Sequence, residues 1–455
     1  MRVLIAASEY SPLARTGGLG EAVAGIAHGV AAAGHSVRVV IPRYRHLHDF
    51  GDRYAGIGFA DSLWLHRDAN VEVVLVDDPD SFDRPGIYGD TPGSGYQDQW
   101  DRFGRFSTVV AAIAQDVDVV HLHDAHTGAV SLLTDRPTVF TVHNAVYPIV
   151  GPLQEASELL GADERSTNLG GPLEWYGEAN YLKAGMALAD LVTTVSPTFA
   201  KQLLTDPSVS GGLDGVLNAR SQPPIGIVNG IDPVAWNAET DESLASMFGP
   251  DQLGARLANR EMLIEMAGID DGVIFGNVGR MSEQKGLALL DSHLDSLVSE
   301  GARFVLVGSG ELDEMVDGWA NRHPQAVWHG PYSEGLNRLV AAGTDCYVMP
   351  SRFEPCGIGQ MYAMRYGSIP VVRLTGGLAD TVIDVDEIPD LATGFGFRAF
   401  EPIEMAKTIR RAMRLFRTDQ PTWTSLQRRG MTTDFSWANA ASSYIKAYEQ
   451  AIRLS

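Results

Sequence analysis

VLIAAS at residues 3–8, GEAVAGIAHGVAAAGH at 20–35 and SVRVVIP at 36–42 read together as strand, helix, strand. The outer runs are rich in Val and Ile and lack polar alternation, the pattern of strands covered on both faces. Gly17-Gly18 and Gly34 punctuate the unit, and the Ala-rich middle suits a helix laid against a sheet. Similar runs return at VEVVLVD (71–77), DVVHLHD (118–124), TVFTVHN (138–144), LVTTVS (191–196) and IGIVNGI (225–231). They predict a doubly wound parallel α/β domain over residues 1–236. A second series, VIFGNVGR (273–280), RFVLVGSG (303–310), AVWHG (326–330), CYVMPS (346–351) and IPVVRL (369–374), predicts another over 237–436. The Asp-, Glu- and Ala-rich stretch 237–270 shows no strand signal and is taken as the join, and 437–455 is a candidate terminal helix.

Length and charge narrow the function. A chain of 455 residues with 45% apolar content has room for more than one core. Lys plus Arg number 35 against 57 Asp plus Glu, a net charge of -22, so no nucleic acid and no anionic membrane is expected as a partner. The two cysteines, Cys346 and Cys356, form no CxxC pair, which argues against a disulfide scaffold and for a reducing compartment. MRVLIAASEY is too short an apolar start for a signal segment or a span, so a cytoplasmic location is expected.

Chemistry collects in the loops that follow strands. SRFEPCGIGQMYAMRYG (351–367) places Glu354, Cys356 and Gly357 at a strand-to-helix turn. Such a turn aims backbone N–H groups and the positive helix end at an anion, and the carboxylate beside it suits hydroxyls. A sugar joined to a phosphate satisfies both. In Arg15-Thr16-Gly17-Gly18-Leu19-Gly20-Glu21, the paired glycines allow close approach of a diphosphate and Arg15 can fork onto its oxygens. Ordinary turn packing explains the same glycines equally well. Arg280 and Lys285, in Gly279–Gly286, can neutralise a leaving diphosphate electrostatically, without a metal.

HLHDAH (121–126) invites a metal, but alternation sends His121 and His123 to one face and Asp124 to the other. No CxxC or HExxH completes a site, so no metal and no cofactor is expected. Asp124 and His143-Asn144 instead form a polar layer at strand ends, where open α/β sheets bind ligands. No GxSxG elbow supports a hydrolase, and no motif supports Cys356 as a nucleophile.

SRFEPCG, followed by Gln360, Tyr362-Ala363, Arg365-Tyr366-Gly367 and TGGLADTV (375–382), closely resembles bacterial glycogen synthases and plant starch synthases. SEYSPLARTGGLGE (8–21), TVHN (141–144), YLKAG (181–185), TTVSP (193–197), IVNGID (227–232), SEQKG (282–286) and DFSW (434–437) extend the resemblance along nearly the whole chain. It implies a retaining glycosyltransferase of the GT-B fold, two Rossmann-like domains facing a cleft, with the last helix crossing back to the N-terminal, acceptor-side domain. By that resemblance Arg280 and Lys285 hold the diphosphate, Glu354 and Cys356 contact the transferred ring, and Gly357, Ile358 and Gly359 complete the donor loop. Tyr332 packs on the base, and Arg15, Gly17, Gly18 and Glu21 belong to the donor side. Asp124, His143 and Asn144 line the sugar site with Glu9 and Asn229 nearby. The donor is a nucleoside-diphosphate sugar and the acceptor a sugar or oligosaccharide, by default an α-1,4-glucan, with front-face transfer and the proton passing to the departing phosphate.

Departures from the family cluster around the same residues. The family has Lys at Arg15, Asp at Glu21, Trp at Ala125, a Leu-Thr pair at Ile358-Gly359, and His-Arg where Arg338-Leu339 stand. Arg15 keeps the charge but not the geometry of Lys. The missing hydroxyl at Gly359 makes Gly359→Thr an expected route to tighter ADP-glucose binding. Two alternatives fit such changes: a pseudo-glycosyltransferase joining an activated cyclitol or modified sugar to an amino- or hydroxy-sugar, and a catalytically silent glucan-binding protein.

Overall fold

The computed structural model describes residues 1–54, 58, 60–91 and 95–455. They form two compact units, Met1–Gly230 together with Trp437–Ser455, and Ile231–Ser436. In the first unit the strands are β1 (Arg2–Ala6), β2 (Ser36–Pro42), β3 (Asp52–Arg53), β4 (Ser62–Asp68), β5 (Val71–Asp77), β6 (Val119–His123), β7 (Thr138–Val142), β8 (Val150–Pro152), β9 (Glu174–Trp175), β10 (Glu178–Asn180), β11 (Leu191–Thr194) and β12 (Ile225–Gly226). Nine of them make one sheet in the order β12-β11-β7-β6-β1-β2-β5-β4-β3. It is parallel except for β3 and β4 at one edge. β8, β10 and β9 form a small antiparallel sheet.

β1 is central because it is apolar after Arg2: Val3, Leu4, Ile5 and Ala6 are buried, with Val3 paired to Val37 on one side and Val119 on the other. The chain therefore winds outward in both directions from β1, and its switch point lies between β1 and β6. The β4–β5 hairpin had no turn signal, since its two-residue connection is Ala69-Asn70 with Ala69 at φ 52. The run 225–231 yields only the short β12. Ile227 still donates to Thr194 O, but β11 ends there, so no partner strand remains for Val228 onward.

Trp437–Leu454 packs on Gly18–Ala32 in this unit. A Cβ at Gly25 would collide with the Trp437 indole, and one at Gly29 would come 2.7 Å from the Ala441 methyl. Two glycines one turn apart thus let the helices approach closely.

The second unit holds β13 (Val273–Val278), β14 (Ala302–Val307), β15 (Val327–Gly330), β16 (Cys346–Met349), β17 (Ile369–Arg373) and β18 (Phe395–Phe397), all parallel, in the order β15-β14-β13-β16-β17-β18. Alternation divides its core: Val273, Phe275, Phe304 and Leu306 face one apolar layer, Ile274, Val305 and Val307 the other. Full burial of each such side chain stabilises by about 1.5–3 kcal/mol. Here the switch point lies between β13 and β16. Among the described residues no helix is long and apolar enough to cross a membrane.

Candidate active site

In the second unit both switch-point loops carry the residues singled out from sequence. The loop after β13 ends in the short helical turn Glu283–Lys285, and the loop after β16 runs from Pro350 to the helix Gly359–Arg365. Lys285 Nζ reaches Glu354 Oε2 at 2.7 Å, and Ser351 Oγ donates to the same oxygen at 2.9 Å. The Glu354 side chain is only 8% exposed and Lys285 24%, so this is a largely desolvated pair, strongly dependent on both partners. Hydrogen bonds tie the two loops: Arg352 N donates to Gln284 O at 2.8 Å, and the Gln284 side chain donates through Nε2 to Phe353 O at 3.4 Å. Arg280 is exposed, and its guanidinium has no partner among the described residues.

The TGG segment explains why two distant motifs belong together. Gly377 N donates to Glu354 O and Pro355 O at 3.0 and 3.2 Å. Gly376 sits at φ 47 where a Cβ would run into the Glu354 carbonyl, so only glycine lets this loop back the carboxylate. Cys356 is buried among these segments. Gly357 is at φ 71, and Ile358 precedes the first turn of the Gly359–Arg365 helix. Tyr332 is half-exposed, with its hydroxyl donating to Glu334 at 2.8 Å. Arg338, the departure nearby, is consumed structurally: it bonds Asp241 and Ala235 O at 2.9 and 2.7 Å and lies over Trp236.

In the first unit the loop after β1 is held from behind. Glu9 is 3% exposed, and its carboxylate accepts from Thr16 N (2.7 Å), Thr16 Oγ1 (2.8 Å), Gly17 N (3.3 Å) and Tyr88 Oη (2.6 Å). Glu9 therefore organises the glycine loop. A Cβ at Gly17 or Gly18 would meet nothing within 4 Å, so packing does not demand these glycines. Arg15 pairs with Glu21 at 2.7 Å.

The loop after β6 turns at Asp124, a non-glycine residue at φ 56. Such strained backbone tends to mark functional positions. Its Oδ1 accepts from His143 N at 2.7 Å and Asn144 N at 3.3 Å. Burial nevertheless pushes the carboxyl up to about 7. Ala125 is fully buried, so the small side chain leaves no solvent-reaching gap.

Behind Asp124 lies a line of imidazoles: His143 Nε2 to His123 Nδ1 at 2.8 Å, the His123 ring centre 4.1 Å from that of His121 with the planes tilted by 41°, and His121 bonded to Thr141 Oγ1 and Tyr448 Oη at 2.6 and 2.9 Å. Burial holds His121 and His143 down to about 3 and His123 well below its ordinary value, so all three are neutral. His121 and His123 do share a face, and each ring is engaged by a neighbour. Among the described residues no group of three His, Cys, Asp or Glu is placed to hold a metal ion.

Buried polar atoms are normally paired, and five that lack a partner among the described residues belong to these motifs: His123 Nε2, His126 Nδ1, Asn229 Oδ1, Ser282 Oγ and Gln360 Oε1. Two hydroxyls escaped the sequence reasoning. Tyr88 comes from a Gly-, Pro- and Asp-rich loop that gave no signal, whereas Tyr347, whose hydroxyl bonds Val278 N and O, stood out as an aromatic in an otherwise aliphatic strand.

Comparison with known proteins places this geometry. The family pattern "Starch synthase catalytic domain" matches residues 2–219, and "Glycosyl transferases group 1" matches 272–414. A glycogen synthase of Alkalilimnicola ehrlichii is 39% identical over 98% of both chains, and one of Syntrophotalea carbinolica is 36% identical over 100% of this chain and 99% of its own. The catalytic domain of starch synthase IV from Arabidopsis thaliana, solved bound to ADP and acarbose, superposes with a TM-score of 0.87 at 28% identity over 99% of each chain. Sucrose-phosphate synthase from Thermosynechococcus elongatus, at 16% identity and TM-score 0.64, shares the fold. The chain has the GT-B fold and belongs to the family of bacterial glycogen synthases and plant starch synthases, glycosyltransferases that the SRFEPCG and TGGLADTV segments had pointed to.

Proposed function

We propose that the protein transfers a glucosyl unit, with retention, from a nucleoside-diphosphate glucose to the non-reducing end of an α-1,4-glucan. The observation that carries this is the Lys285–Glu354–Ser351 cluster at the second unit's switch point. Lys285 and Ser351 occupy Oε2 of Glu354, which leaves Oε1 to accept from a ring hydroxyl. Arg280 and Lys285 balance charge as the sugar–phosphate bond breaks, and the turn at Cys356 and Gly357, at the start of the Gly359–Arg365 helix, adjoins the donor. The bond forms to the acceptor hydroxyl on the same face, and its proton goes to the departing phosphate. On the first unit, Asp124, the His143 and Asn144 backbone and Asn229 hold sugar hydroxyls, while Glu9 keeps the Arg15–Gly18 loop in place.

Charge on Arg280 and Lys285 suffices for the leaving group, so the reaction runs without a metal. ADP as the leaving nucleotide follows the relative solved with ADP and acarbose. The activated-cyclitol alternative is not favoured, because full-length relatives at 36% and 39% identity are glycogen synthases. The test is nucleoside-diphosphate release from ADP-glucose and UDP-glucose with glycogen as acceptor, with and without EDTA. Release with chain elongation, unchanged by EDTA, is expected. No release from either donor overturns the proposal.

A further inference from the structure

Tyr347 is the one hydroxyl-bearing residue of β16, and it stands within the second unit's switch-point cluster. It is 2% exposed. Its hydroxyl receives Val278 N and donates to Val278 O, both at 3.1 Å. Register explains the reach: Tyr347 pairs with Gly276, so Val278 lies two residues further along the neighbouring strand. Val278 is the last residue of β13, immediately before Gly279-Arg280. The phenol also lies within the electrostatic reach of Glu354 and Tyr332. On its other side is Gly359. A Cβ there would come 3.0 Å from the Tyr347 hydroxyl, 3.2 Å from Cε1 and 3.4 Å from Cζ.

We propose that Tyr347 and Gly359 are a size-matched pair in which Tyr347 is the positioning residue for the Arg280–Lys285 loop. The ring fills the space a side chain at 359 would use, and the hydroxyl fastens both polar backbone groups of Val278 at the root of that loop. Gly359 is therefore glycine because Tyr347 is tyrosine. The expectation that Gly359→Thr alone tightens donor binding reverses, since the new side chain must displace the phenol from Val278. This inference rests on the glucosyl-transfer assignment for its kinetic arm only.

Two measurements test it. Tyr347→Phe removes only the hydroxyl. In ligand-free protein, deuterium uptake over 273–286 is expected to rise, and in assays the donor KM to rise about tenfold while the glucan KM holds, as for one lost hydrogen bond that orders a loop. A purely packing role would lower the melting temperature and leave both KM values alone. Gly359→Thr alone is expected to raise the donor KM about tenfold or more, and adding Gly359→Thr to Tyr347→Leu to leave the donor KM within about threefold of Tyr347→Leu alone, the non-additivity of contacting residues. Unchanged uptake in Tyr347→Phe, or a Gly359→Thr effect that persists in full in the Tyr347→Leu background, overturns the proposal. Where the double variant does not fold, the Tyr347→Phe uptake decides alone. A wild-type chain that releases no nucleoside diphosphate would sink the glucosyl-transfer assignment, and the uptake comparison would still decide the clamp.

Discussion

The two large sheets are wound alike, each outward from its first strand, and each carries candidate site residues in the loops at its switch point, with His143, Asn144, Asn229 and Tyr332 after other strands. Their electrostatics are opposite in kind. In the second unit the loops present Arg280 and the Lys285–Glu354 pair, formal charge in a half-buried setting. In the first unit the Arg15–Glu21 pair is partly exposed, and the buried groups at the ends of β6 and β7 are neutral imidazoles and a carboxyl raised to about 7, held by backbone amides. One topology thus carries two electrostatic settings, a close charged pair in the second unit and buried, largely neutral groups in the first.

Lys285→Ala is the severest test of that contrast. It removes a leaving-group cation and strands a buried Glu354, so kcat is expected to fall at least about a hundredfold with the circular-dichroism spectrum retained. Near-normal turnover would remove the second unit's claim to the charge chemistry. Asp124→Asn probes the first unit. The ionised carboxylate is the better acceptor, so kcat/KM is expected to rise with pH through about 7 in the wild type. The variant should flatten that limb and lower the plateau by about tenfold to a hundredfold. A wild-type profile without the limb would show that Asp124 does not titrate in the productive state.

Acid stability gives a third comparison. His121, His126 and His143 are held at about 3, below the ordinary value near 6.5, so their contribution is lost as pH falls from about 6.5 towards 3. Each contributes at most about 1.4 kcal/mol per pH unit. Asp124, raised from 3.8, works the other way over about 4 to 7, but as one group against four, since His123 is also held well below its ordinary value. Hydrogen exchange between pH 7.5 and 5 should therefore loosen the first unit before the second; the reverse order would refute the contrast in imidazole burial. The smallest effect is expected at Arg15→Lys. The Arg15–Glu21 pair has an Arg side chain 44% exposed, so stability should change by under about 1 kcal/mol, measured by urea unfolding, and donor KM by about threefold or less. A tenfold KM change would move Arg15 into the charged machinery.

Val- and Ile-rich runs made the parallel strands legible, because burial on both faces leaves an unbroken apolar signature. SLWLHRD, the antiparallel strand next to the edge, carries His, Arg and Asp and left no such signature, and its hairpin turn lacks Gly. In the site, SRFEPCG and SEQKG were recognisable as motifs. That Lys285 meets Glu354 across 69 positions was not, since pairing is decided by which strands are neighbours. Asp124 shows the same limit. Strand alternation located it, but its φ of 56 and its bond to the His143 amide depend on how β6 and β7 end side by side. Tyr347 was passed over in CYVM, because its hold on Val278 follows only from the register of β13 and β16.

The glycine-lined contact between Gly18–Ala32 and Trp437–Leu454 has a consequence for synthesis. The helix that receives the Trp437 indole leaves the ribosome more than four hundred residues before its partner. Residues 1–230 must wait, with an apolar helix face uncovered and His121 lacking Tyr448, while the whole of the second unit is translated. The second unit, continuous in sequence, faces no such delay. The order of completion is thus the reverse of the order of translation, and a nascent chain released early would hold a finished C-terminal half beside an unfinished N-terminal one.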